Sequence, residues 1–186
     1  MAELSTSLTR NRETPVIVDG KRPGTPRERE MTGQRETTQR EATMNVKAIL
    51  SIKGSEVITI APNATLEEAI AILGKHRIGA LVVLGADQRV IGILSERDIV
   101  RALSERSASA LKEPLGQTMT RVVVTCSEAD TVSDLMERMT HGRFRHIPVV
   151  EQDRLIGIVS IGDVVKQRLG EMERESEALR DYIQTA

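Results

Sequence analysis

The stretch Gly92-Ile93-Leu94-Ser95-Glu96-Arg97-Asp98 returns 65 residues later as Gly157-Ile158-Val159-Ser160-Ile161-Gly162-Asp163. Each time an apolar run ends on a serine and an aspartate follows three residues on, the pattern of a strand entering a helix through an N-cap. Working outward, each heptamer is preceded by a valine-rich strand and a polar hairpin. These are Ala80 to Leu84 with Gly85-Ala86-Asp87-Gln88, and Ile147 to Val150 with Glu151-Gln152-Asp153. Further upstream, Leu66, Ala69, Ile70 and Leu73 recur at helical spacing behind a capping pair Thr65 and Glu68. Val132, Leu135, Met136 and Met139 do the same behind Thr131 and Asp134. The order therefore repeats from Val57 to Val100 and from Val123 to Val165, at an offset of 66 that becomes 65 after the hairpin. A repeat of this length decides the fold class. It predicts α/β architecture in two tandem copies, each a small sheet packed against two helices. A single copy falls below roughly 70 residues, where one core is seldom sufficient, so the copies are expected to pack on each other. The link from Leu103 to Met119, with Pro114, reads as a helix-turn connector.

Composition narrows the function classes. The chain has 186 residues, of which 39% are apolar, with one Tyr, one Phe and no Trp, so its core has to be aliphatic. Lys and Arg number 26 against 27 Asp and Glu, a formal charge of -1 that offers no long-range attraction to a polyanion. Nucleic acid is not an expected partner. The single cysteine, Cys126, rules out an intrachain disulfide framework and implies a reducing, cytoplasmic setting. No run approaches the roughly 20 apolar residues of a membrane span, and the first residues lack the order of a secretory signal.

Residues 1–43 differ from the rest. They are crowded with Thr, Arg, Glu, Pro and Gly and hold one brief apolar run, Val16-Ile17-Val18. Such composition predicts a disordered extension. The amphipathic start at Met44 to Leu50 marks the expected beginning of the folded part, with upstream residues an extension or the product of an alternative translation start. Two further units are expected at 44–108 and 109–169, followed by a helical tail over 170–186.

The serine-aspartate junctions carry the chemistry. Ser95 and Ser160 sit at predicted helix N-termini, where unpaired amides and the helix dipole favour an anion. Asp98 and Asp163, one turn in, are placed to accept from the two hydroxyls of a ribose. The same residues also suffice as simple caps and first-turn acids, and spacing alone leaves both readings open. Gly92 and Gly157 read as points where a neighbouring element approaches the backbone closely. The glycine spacing of a dinucleotide fingerprint is absent. His76, His141 and His146 form no metal-ligand pattern with the dispersed carboxylates. Cys126 reads as a buried small hydrophobe. No base stands in a recognisable catalytic motif with Ser95, so the chain is expected to be non-catalytic.

With its two heptamers in register, the chain resembles a tandem pair of cystathionine-beta-synthase domains, the CBS pair or Bateman module, over roughly residues 45–170. The resemblance implies two small α/β domains related by a pseudo-two-fold axis and a nucleotide site at each junction. It implies that Ile78, Gly79 and Ala80 line a first site with Ser95, Arg97 and Asp98. Arg145, His146, Ile147 and Pro148 would line a second with Ser160 and Asp163. Thr59 and Ala61, with Thr125 and Ser127, would supply the edge from each opening strand. The sites are expected to be unequal, because Arg145 and His146 stand where the first copy has Gly79 and Ala80. On that ground the second would take the more highly charged phosphate arrangement. Arg97 and Arg101 add charge beside the first junction, where the second has Gly162 and Lys166. Arg77 and Arg143, at matched positions, read equally well as phosphate contacts or as solvated turn residues.

The implied ligand is AMP, ADP, ATP or NAD(H), bound reversibly by a regulatory or sensor protein that acts on an unidentified partner. The alternative from a different class is a structural or interaction subunit with vestigial nucleotide sites. CBS pairs commonly join face to face, which implies a homodimer. The stripe Val165, Leu169, Met172, Leu179 and Ile183, flanked by charged residues, adds a narrow apolar seam along the C-terminal helix. That seam either meets a second subunit or folds back on its own chain.

Overall fold

The computed structural model describes residues 17–19 and 44–185. Strand β1 is Ile17–Asp19 and helix α1 is Val46–Lys53. The first copy then runs β2 (Thr59–Ile60), α2 (Leu66–His76), β3 (Ala80–Leu84), β4 (Val90–Ser95) and α3 (Glu96–Arg106). Two 3-10 turns, Ser107–Lys112 and Leu115–Gln117, make the connector. The second copy follows as β5 (Val123–Thr125), α4 (Val132–Gly142), β6 (His146–Glu151), β7 (Arg154–Ser160) and α5 (Ile161–Thr185).

Each predicted cap forms. Thr65 with Glu68, Ser95 with Asp98 and Thr131 with Asp134 are reciprocal capping boxes, and Ser160 with Asp163 repeats their hydrogen bonds. These pairs satisfy amide donors that a helix start leaves unpaired. At the other end of α2 and α4 the matched arginines Arg77 and Arg143 adopt left-handed backbone, φ 53° and 56°, which turns the chain sharply into β3 and β6.

The strands pair alike in both copies. β2 runs parallel to β3 with Ile60 opposite Val83, and the equivalent Cys126 bridges Val149 of β6 in parallel. β3 and β4 are antiparallel with Ala80 opposite Ser95, and β6 and β7 place His146 opposite Ser160. The change of offset lies in the hairpin. The second copy turns through Gln152 and Asp153, φ 48° and 61°, as a two-residue connection. The first takes the longer loop closed by the Gly85 amide on the Arg89 carbonyl. Most of the segment 1–43 lies outside the described residues, but Ile17–Asp19 forms a parallel strand on β5 where the composition predicts disorder. The run Val16-Ile17-Val18 has the β-branched composition a strand needs, and the free edge of β5 supplies the partner.

Chain order and packing order differ. Val46, Ile49 and Leu50 of α1 are buried with Val132, Leu135, Ile147 and Val159 of the second copy. In exchange Ala110, Leu115 and Met119 of the connector are buried with Leu66, Leu81 and Leu94 of the first. The contacts are reciprocal: Asn45 bridges Thr131, and Pro114 bridges Thr65. A third cluster joins the copies through Val82, Val90 and Val123, with Ile93 and Ile158 against it. The core is aliphatic, as the composition requires, and Phe144 is only packed at its margin.

Gly92 and Gly157 are the points of close approach. A methyl on Gly92 would come within 2.5 Å of the Met119 sulfur and 3.2 Å of the Thr120 carbonyl. On Gly157 it would meet the Leu50 methyls at 2.7 and 2.9 Å. The glycines therefore let the exchanged segments lie flat on β4 and β7.

Candidate functional site

Two clefts open where the copies meet. The first, about 580 Å³, is bounded on one side by Ser95, Glu96, Arg97, Asp98 and Arg101 at the start of α3. Its other walls are Thr120 and Val122 just before β5, Val123 and Val124 on it, and Gly142 to His146 at the turn into β6, with Gly79 and Ile93 from the first copy. The second, about 510 Å³, is bounded by Ser160 and Ile158, by Lys53 to Ile58 apart from Gly54 and Ser55, and by His76 to Ala80. Gly79 and His146 belong to both.

This grouping differs from the one expected from chain order. Arg145, expected beside Ser160, lines the cleft of Ser95 and Asp98, while His146 lies opposite Ser160 in the sheet and lines both clefts. Ile78 and Ala80, expected beside Ser95, line the cleft of Ser160. The cause is the sheet-to-sheet contact through Val82, Val90 and Val123, which sets the turn of one copy in front of the helix start of the other. The charged side chains divide unequally between the two clefts. Arg97, Arg101, Arg143 and Arg145 converge on the first cleft, facing Glu96 and Asp98. The second has Lys53 and Arg77 with Glu56.

Several expected residues lie elsewhere. Ile147 is fully buried in the second core and the Pro148 carbonyl accepts from the Cys126 amide. Thr125 is buried, and its carbonyl accepts from Arg138 at 3.4 Å. Ser127 donates through its amide and hydroxyl to Asp130 at 2.7 and 3.1 Å. Neither Thr59 nor Ala61 lines a cleft.

At the first junction Asp98 Oδ2 accepts from the Ser95 amide at 2.9 Å and the Ser95 hydroxyl at 2.6 Å, while Arg101 pairs with Oδ1. Arg97 donates across the copies to the Arg143 carbonyl at 2.8 Å. At the second, Asp163 Oδ2 accepts from the Ser160 amide and hydroxyl at 2.8 Å each and from Lys53 Nζ at 2.6 Å. The capping role of both aspartates is thus realised, and Asp98 also lines the first cleft. Burial pushes the Asp163 carboxyl up, but Lys53 and the Ser160 donors outweigh it and the net shift is downward. Burial, followed by the Lys53 charge, holds His146 below the usual imidazole value, against the opposing pull of Glu96 and Asp163.

Lys53 and the segment Thr120 to Val124 escape a reading by junction motif, because each acts on a helix start in the opposite copy. Lys53 and Asp163 are 110 residues apart. Among the described residues no group of three or more His, Cys, Asp and Glu is placed to hold a metal ion, and no helix is long and apolar enough to cross a membrane.

Two tandem α/β repeats that exchange their opening segments and enclose paired clefts, with Ser95 lining one and Ser160 the other, define a paired-repeat module. The chain belongs to the CBS domain family, which matches residues 46–105 and 115–170. It is 48% identical to a solved CBS-domain protein, ATU1752 from Agrobacterium tumefaciens, with a TM-score of 0.66 over 70% of this chain and 96% of that one. The CBS domain pair of MJ0100, solved in complex with 5′-methylthioadenosine and S-adenosyl-L-methionine, is 29% identical with a TM-score of 0.62 over 69% and 98%. The CBS domain protein PAE2072 from Pyrobaculum aerophilum, complexed with AMP, is 29% identical with a TM-score of 0.58 over 64% and 88%.

Proposed function

We propose that this chain is a non-catalytic regulatory protein that binds an adenosine-containing nucleotide in the clefts between its repeats, with the first cleft as the principal site. The observation that carries this reading is the meeting of the Ser95 to Asp98 helix start with four arginines drawn from both copies. A helix N-terminus favours an anion, and guanidinium groups bind phosphate oxygens through paired donors. Asp98 supplies the acceptor for a ribose, and Val122, Val123 and Ile93 supply apolar wall for a purine. A volume of about 580 Å³ is in the range of small-molecule sites. Adenosine compounds in two solved relatives support the same ligand class. The arginines favour AMP, ADP, ATP or NAD(H) over adenosyl compounds without phosphate.

Isothermal titration with each of these ligands tests the reading. Asp98→Ala is expected to weaken binding at the first cleft about tenfold or more, the order associated with a lost hydrogen bond to a charged group. No heat from any adenosine nucleotide would overturn it. The interaction-subunit alternative predicts instead that partner capture survives both Asp98→Ala and Asp163→Ala.

We further propose a homodimer as the route by which occupancy reaches a partner. Val165, Leu169, Met172 and Ile183 of α5 are 42 to 72% exposed, and Val100, the counterpart of Val165, is 67% exposed on α3. An apolar stripe at this spacing on a helix gains little in water and is suited to a seam between subunits. Sedimentation equilibrium is the test. A monomer at micromolar concentration defeats the dimer, and a dimer that persists after truncation near Gly170 removes α5 from its basis.

A further inference from the structure

The two oxygens of Asp98 are held by different parts of the helix start. Oδ2 accepts from the Ser95 amide at 2.9 Å and the Ser95 hydroxyl at 2.6 Å, within the capping box. Oδ1 takes the guanidinium of Arg101, which stands one turn on along α3. The carboxylate is nearly buried, at 8% side-chain exposure, while Arg101 is 60% exposed and lines the first cleft beside it. The cap therefore fixes one oxygen, and the other is covered by a side chain that little else confines. Arg97, the other arginine of this helix start, is committed to the Arg143 carbonyl at 2.8 Å and ties the turn of the second copy in place. Arg101 donates instead to a carboxylate that the cleft itself presents. The second copy has no such arrangement. At the matched position Lys166 makes no ion pair with Asp163 among the described residues, the cation on Asp163 is Lys53 from α1, and Asp163 does not line the second cleft.

We propose that Arg101 is the residue through which the first cleft selects phosphorylated nucleotides: its guanidinium covers Asp98 Oδ1, and a phosphate draws it away and so opens that oxygen to the ribose. The inference rests on the nucleotide reading above and deepens it by assigning the preference for phosphate to one side chain. An ion pair with one exposed partner is weak, whereas a phosphate carries up to two charges and accepts paired bonds from a guanidinium. The exchange therefore favours AMP. A nucleoside without phosphate has to part Arg101 from Asp98, and the neutral hydroxyl that takes its place makes a weaker bond to the carboxylate. Arg101 thus acts twice, as a contact for the phosphate of one ligand and as a barrier to the other. A residue that only met phosphate would do the first and not the second.

The probes are AMP and adenosine, each titrated calorimetrically into full-length protein. Arg101→Met, which keeps an unbranched stem and removes the charge, is expected to weaken AMP binding about tenfold, the order of a lost hydrogen bond to a charged group. The same variant should tighten adenosine binding about two- to fivefold, the scale of one partly exposed ion pair. Arg101→Gln should act in the same two directions. In an Asp98→Ala background Arg101→Met should bring no gain for adenosine, since the oxygen it uncovers is gone. Thermal unfolding of each variant confirms that folded protein is compared. Adenosine affinity that is unchanged or lower in both Arg101 variants overturns the proposal, as does a gain that persists without Asp98 or an AMP affinity that survives both substitutions. Wild-type protein that binds no adenosine nucleotide overturns the functional reading itself, an outcome distinct from these.

Discussion

Gly79 and His146 face each other across the two repeats: a methyl on Gly79 would lie 3.2 Å from Cε1 of the His146 ring. Both residues line both clefts, so this contact is the septum between them. Gly79→Ala should shift the ring by a few tenths of an ångström and alter nucleotide affinity at both clefts together. A titration in which only one affinity moves contradicts the septum.

The same imidazole makes stability depend on pH. Its folded pKa lies below the ordinary 6.5, so the unfolded chain takes up the proton first. Stability is then complete above about 6.5 and declines as pH falls through that value toward the folded one. Melting temperatures between pH 7.5 and 5.5, compared with those of His146→Gln, should show a shallower decline in the variant.

Gly157→Ala places a methyl 2.7 Å from Leu50 Cδ2 and should destabilise by about 1–3 kcal/mol, the usual cost of overpacking a core. Pairing it with Leu50→Ala, which removes the clashing methyls, should recover part of that cost of the glycine change. Chemical denaturation of the four proteins in the cycle measures the coupling.

Arg138 and Asp130 form a buried ion pair at 3.2 Å, with side chains 13 and 2% exposed. Asp130 also accepts from the Ser127 amide and hydroxyl. Removal of Arg138 takes a counter-charge from a buried carboxylate, so Arg138→Ala should cost about 3 kcal/mol or more. A urea midpoint unchanged from wild type contradicts this.

Burial pushes the Cys126 thiol up to about 12, with Asp130 adding to the rise. A thiol held protonated is a poor nucleophile. Alkylation by iodoacetamide at pH 8 should therefore be far slower in folded protein than in urea, and equal rates would show that Cys126 is accessible.

The sequence by itself determined the repeat, the class of each element and the caps. These depend on interactions within a few residues: Thr65 with Glu68, Ser95 with Asp98, the period of Leu66, Ala69 and Leu73, and the alternation into the hairpins. It also determined that Gly92 and Gly157 receive a close neighbour, since a glycine in a strand has few other uses. The tertiary structure alone decided which neighbour, and which residues share a cleft. Strand pairing sets Ala80 opposite Ser95 within one copy, a local result, but the space before Ser95 is filled by Arg143 to His146 from the other. That placement follows from burying Val82, Val90 and Val123 together and from exchanging α1 for the connector. Those contacts join residues far apart in the chain through non-directional apolar burial, which leaves no periodic trace. The partnership of Lys53 with Asp163 across 110 residues is of this kind: Lys53 alone reads as an ordinary surface charge and Asp163 as a first-turn acid, and only packing of α1 on the second repeat brings them together.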